Sequence, residues 1–198
     1  MNWNKLYLLG ICVVLICSTG PLAKGEQSEQ DQEKMMEAYM MMMTVTQNHT
    51  YLKERFVGDW DVHTTAWMEP GAEPEKAQNA SHAELILGGR FLKVDFKGQM
   101  MGEPFEGLQI IGFDNLKQKF ITFWIDSSST AFFLTEGTKE GMVTTETGEW
   151  PDPMTGGTTK VKMITTSVSV DEFVFEMFMT GPDGMEFKSM ENRSVRKK

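Results

Sequence analysis

The chain has 198 residues, 40% of them hydrophobic, and a formal net charge of −9 at pH 7. Nucleic acid and anionic membrane surfaces would both repel so acidic a chain, which argues against either as a partner. Its two cysteines, Cys12 and Cys17, both lie near the N-terminus, so the rest of the chain has neither disulfide nor thiol chemistry and must rely on its core.

Behind Lys5, residues 6–17 form an apolar run. It is shorter than the roughly 20 residues that span a bilayer, and it suits the apolar centre of a secretory signal. Ala23-Lys24-Gly25 places small residues where a signal peptidase reads, so residues 1–25 read as a signal peptide cleaved before Glu26. The expectation is an exported protein, periplasmic or secreted, with no transmembrane span in its mature part. A lipid anchor at Cys17 is the alternative, although Val14-Leu15-Ile16-Cys17 lacks the small residue that usually precedes a lipidated cysteine. An uncleaved anchor is a third reading. The leader holds lysines and no acid, so the mature chain is more acidic still.

Residues 26–47 read as a polar tether followed by a Met-rich helix. Met36, Met40 and Met43 share one helical face, and Met35, Tyr39 and Met42 another. A helix with that much apolar surface is expected to dock. Thioethers are soft ligands that suit Cu(I), but methionine is also an adaptable packing residue, and packing is the reading taken. A second short helix is expected over about residues 48–56, with Leu52 and Phe56 inward.

From there the period changes to two. Trp60, Val62, Thr64, Ala66 and Met68 alternate with Asp61, His63, Thr65 and Trp67, up to a proline-bounded turn at Pro70-Gly71-Ala72-Glu73-Pro74. Further strands read at residues 82–87, 90–97, 105–113, 120–126, 130–137, 142–150, 159–170, 173–180 and 185–196. About ten evenly spaced strands with short turns indicate an up-and-down antiparallel barrel or a sandwich over residues 48–198. Closure into a barrel removes exposed strand edges. The apolar inward candidates are Val62, Leu85, Leu87, Phe105, Ile111, Trp124, Phe175 and Met177.

Trp124 and Asp126 share a strand face with Phe120 and Thr122. Asp126 reads either as a ligand-orienting acceptor, or an acid or base if chemistry occurs, or as a cap on the Ser127-Ser128-Ser129-Thr130 turn; the cap is favoured. If the first two strands pair across the proline turn, His63 falls opposite about residue 81, near His82 and Glu84. Such a set could hold Zn²⁺, though a solvated hairpin face is the plainer reading. No nucleophile elbow, zinc-protease motif, phosphate loop or dinucleotide fingerprint occurs.

The segments Leu87-Gly88-Gly89-Arg90-Phe91-Leu92, Pro104-Phe105-Glu106-Gly107, Gly112-Phe113-Asp114-Asn115, Trp124-Ile125-Asp126-Ser127, Asp152-Pro153-Met154-Thr155-Gly156 and Met179-Thr180-Gly181-Pro182-Asp183-Gly184 follow the proline turn in order. In that order they resemble the bacterial family known as domain of unknown function 1579, over nearly the whole mature chain. The resemblance implies a lipocalin-like β-barrel and no established activity. Gly58-x-Trp60 also resembles the opening strand of lipocalins and related calycin barrels. There the tryptophan plugs the closed end and an arginine stacks on it by cation–π attraction; Arg90 is the candidate partner. Haem-binding barrels of the nitrobindin type use a late-strand histidine, and no histidine follows His82.

The function expected is an exported, non-catalytic barrel that binds a small apolar or amphipathic ligand. Arg90, Phe105, Trp124, Asp126 and Met177 are its candidate contacts, and no cofactor is called for. A packed structural envelope protein is one alternative. A small-molecule enzyme using Asp126 or Asp95 with Arg90 as anion clamp is the other. Oligomeric state is left open.

Overall fold

A computed structural model describes residues 29–152, 155–181 and 184–198. The signal and the cleavage point expected from the sequence lie outside them. The chain divides into two compact units, Met1–Glu37 and Ala38–Lys198. The described part of the first is only the start of helix α1, Glu29–Met43.

Helix α2, Gln47–Phe56, follows after a short link. Its first turn is held by a capping box in which His49 stands where Glu or Gln is usual: the Thr46 N–H donates to His49 Nδ1 at 3.0 Å. Leu52 and Phe56 are buried as expected. Both helices then give way to strands β1 Gly58–Ala66, β2 Glu75–Ile86, β3 Phe91–Met100, β4 Glu103–Asp114, β5 Lys119–Asp126, β6 Phe133–Glu140, β7 Val143–Pro151, β8 Thr158–Ser167, β9 Glu172–Thr180 and β10 Glu186–Arg196. Each pairs antiparallel with its chain neighbour, and β1 pairs with β10, which closes the ten strands into a barrel. The lipocalin-like fold class read from the sequence is the fold observed.

Alternation sets which side chains enter the barrel. Trp60 and Val62 are buried while Asp59, Asp61 and His63 face out. The register carries that choice around the wall: Ile111 opposes Thr122, Thr122 opposes Thr135, and Trp124 opposes Phe133. One inward candidate fails. Leu87 sits in the β2–β3 turn at φ 50 and is 70% exposed, because the strand has already ended at Ile86.

The Met-rich segment also differs from expectation. Helix α1 has no buried residue, and Met40, Met41, Met42 and Met43 are all about half exposed. What holds its end is polar. Buried Asn115, in the β4–β5 turn, donates to the carbonyls of Met41 and Thr44 at 2.7 Å each. Arg90 donates to the carbonyl of Met43 at 2.7 Å. The last carbonyls of a helix lack intrahelical partners, and these side chains supply them. Among the described residues, no helix is long and apolar enough to cross a membrane.

Candidate ligand-binding site

One end of the barrel is sealed. The Trp60 indole is 1% exposed, donates from Nε1 to the Phe56 carbonyl at 2.8 Å, and meets Phe173 edge-on at 4.8 Å. The guanidinium over its ring, 4.2 Å from the centroid, belongs to Arg196. The expected partner, Arg90, is at the end of α1 instead. Arg196 also donates to the carbonyls of Val57 (2.6 Å) and Val170 (2.8 Å) and to Asp171 Oδ1 (3.1 Å). It thereby ties α2, the β8–β9 turn and the barrel seam together. Gly58 is required here: its φ is +133, and a Cβ would lie 2.5 Å from Arg196 Nη1. Above the plug, Leu52, Phe56, Ala83, Leu92 and Phe120 form one buried cluster.

The other end carries an aromatic wall. Trp124 lies flat along Phe105 (6.3 Å, 22° between planes), with Phe96 edge-on to both. Its ring covers Gly107, where a Cβ would be 2.2 Å away, so glycine on β4 is what lets the indole lie against the strand. Asp126 fixes the ring. Its Oδ2 accepts the indole N–H at 2.7 Å, while Oδ1 accepts the Ser128 N–H at 2.9 Å and the Ser128 hydroxyl at 2.7 Å. This is the capping geometry, with the addition that the cap positions Trp124.

Phe96, Phe105, Gln109, Trp124, Phe175 and Met179 all face inward yet stay partly exposed. The second buried cluster, Val161, Met163 and Met177, sits on β8 and β9 and does not merge with the first. Eight strands make a barrel that side chains can fill, and ten make a wider one. The Met177 candidate is therefore a packed wall residue, 8% exposed. A shallow hollow of about 770 Å³ lies at the rim by Ala66, Ala77, Gly98 and Met101, and neither Phe105 nor Trp124 lines it.

Between the plug and the aromatic wall stands a polar group that the sequence did not reveal. Glu146 on β7 is 8% exposed, and its Oε1 accepts the Thr122 hydroxyl at 2.9 Å. The inward neighbour of Glu146 on β6 is Gly137, which has no side chain to stop it reaching across to β5. Burial pushes the Glu146 carboxyl up to about 7, against the smaller opposing pull of the Thr122 and Thr135 hydroxyls. The nearby Tyr51 and Thr135 hydroxyls are buried without a hydrogen bond of acceptable geometry. The Tyr51 hydroxyl is pushed up, by burial first. His49 is buried against Phe113 and held below the usual histidine range, first by burial and then by Arg90, so it stays neutral and accepts at Nδ1.

The metal candidate disperses. His82 lies across from Asp59, with Nδ1 2.8 Å from its Oδ1, whereas His63 lies across from Gln78. Glu84 is engaged by Lys93 at 3.7 Å on the β3 side. Among the described residues no three His, Cys, Asp or Glu side chains converge on a metal position. Asp95 likewise lies on the outer face, its Oδ2 accepting from Lys93 Nζ at 2.6 Å.

The family described as Protein of unknown function (DUF1579) matches residues 44–196. The chain belongs to that family. No curated protein matches it. Among solved structures it resembles the S-type phycobiliprotein lyase CPES from Guillardia theta. That match has 9% identity and a TM-score of 0.54 over 81% of this chain and 97% of the lyase. At that identity the likeness concerns the fold: this DUF1579 chain shares the lyase's barrel architecture. A redesigned β-barrel also matches, with 17% identity over 72% of this chain and 91% of its own, at a TM-score of 0.36.

Proposed function

We propose that this DUF1579 protein is an exported, non-catalytic barrel that binds a small apolar or amphipathic molecule through its open end. The observation that supports it most is the wall of Phe96, Phe105 and Trp124: aromatic, inward-facing, partly exposed and held rigid by Asp126. Ligand pockets are mostly apolar with a few convergent polar groups, and here the sealed base sets the depth. Export is read from the apolar run at residues 6–17.

Native mass spectrometry of protein purified from its own host tests the reading. A retained small-molecule mass, lost on unfolding, is expected. A bare chain mass favours a packed structural barrel. Sequencing the N-terminus of the same sample tests export: a start at Glu26 is expected, and a modified Cys17 would mean a lipoprotein.

A further inference from the structure

Glu146 is a buried carboxyl with no cationic partner among the described residues. A buried charge is normally paired or hydrogen-bonded, and here it is met by hydroxyls alone, Thr122 at 2.9 Å with Thr135 beside it. The charged and titratable groups on the elements around it do not neutralise it. On β5, Asp126 is at the mouth and adds negative charge. On β6, Lys139 Nζ is taken up over the Tyr51 ring of α2, at 4.8 Å, and donates to the Gly141 carbonyl. On β8 the facing residues are Val161, Met163 and Thr165, none of them ionisable. On β10, Arg196 is occupied beneath Trp60.

Three further polar atoms are buried without a hydrogen bond of acceptable geometry: the Tyr51 hydroxyl on α2, the Thr135 hydroxyl, on a residue 4% exposed beside Glu146, and Asn192 Oδ1 on β10. Asn192 Oδ1 can only accept. The interior around Glu146 therefore lacks positive charge, on a chain whose net charge of −9 already draws cations.

We propose that the interior binds an amphipathic amine, with its ammonium seated against Glu146 and Thr135 and its apolar body lying along Trp124 towards the mouth. An ammonium brings three donors and the missing charge. A carboxylate head would face Glu146 and Asp126 with nothing to offset the repulsion. This proposal rests on the reading that the barrel interior takes a ligand, and names the chemical class.

The test is calorimetric titration of the full chain with octylamine, 1-octanol and octanoate at pH 6 and pH 8. Octylamine should bind at least about tenfold more tightly than octanol at pH 8, the difference a charge-assisted hydrogen bond makes. Octanoate should bind most weakly. Octylamine affinity should rise roughly tenfold from pH 6 to pH 8 as Glu146 ionises, and Glu146→Gln should abolish both the preference and the pH dependence. Octanol or octanoate binding as tightly as octylamine, or amine binding that ignores pH in the native protein, overturns the proposal and leaves a ligand-binding barrel standing. Failure of all three to bind overturns both.

Discussion

Trp60 and Arg196 form the plug on which the closed end depends. Trp60→Ala removes a buried indole together with its hydrogen bond to Phe56, and should destabilise by about 3–5 kcal/mol in a urea titration. Arg196→Ala should also destabilise, and by more than Arg90→Ala, whose contacts lie at the end of α1. Equal effects would show that Arg196 is not the plug partner. Gly58-x-Trp60 was legible because both members sit in one strand. Arg196 was not, because only closure of β10 onto β1 brings it beneath the indole. Glu146 was invisible for another reason. In Thr144-Thr145-Glu146-Thr147 both strand faces are polar, so alternation cannot mark an inward side. Its pH signature follows from a folded pKa near 7 against 4.5 for the free group. The folded state holds the proton more tightly, so this stabilisation is complete below about pH 4.5 and is lost as pH rises through 7. The loss is of order 3 kcal/mol between pH 4.5 and pH 8. Glu146→Gln should therefore be more stable than the native chain at pH 8 and show no such slope between pH 5 and pH 8. A native chain that grows more stable across that range, with a slope that Glu146→Gln removes, would contradict the burial.

The junction between α1 and the barrel is made by capping rather than by apolar packing. Asn115→Ala leaves the Thr44 carbonyl without its side-chain donor, while the Met41 carbonyl keeps the Thr44 N–H at 3.2 Å, and should cost about 0.5–1.5 kcal/mol. Hydrogen exchange should speed up around residues 40–44 while the β-strand amides keep their protection; uniform loss of protection would place Asn115 in the barrel core instead. The sequence pattern overread this junction: a run of methionines looks like a docking face, yet the side chains stay exposed and the backbone carbonyls make the contact. Strands were read well wherever one face is apolar, as in Phe91-Leu92-Lys93-Val94-Asp95-Phe96. The first half of β2, Glu75-Lys76-Ala77-Gln78-Asn79, has no such face, and no strand was read there. Its true register follows from Ala66 pairing with Glu75, a longer connection than a tight turn at the prolines. That difference carries His63 away from His82, and the metal candidate with it.

At the scale of the whole molecule, alternation and even spacing indicated about ten antiparallel strands in a barrel or a sandwich, and the family resemblance implied the barrel; closure supplies the last pair that every strand needs. They could not say how the interior is filled. Barrel width depends on strand number and stagger, and stagger is written in cross-strand register rather than in any local pattern. The proposed binding of a molecule from outside rests on two buried clusters that do not merge and on an aromatic wall that stays partly exposed. The most direct test is a titration of the folded protein with the neutral dye N-phenyl-1-naphthylamine, following dye emission and tryptophan quenching. Saturable binding is expected, weakened about tenfold by Trp124→Ala, as loss of a central aromatic contact would do, with the fold unchanged by circular dichroism. Dye emission that appears only as the protein unfolds, or binding indifferent to Trp124→Ala, would contradict the account.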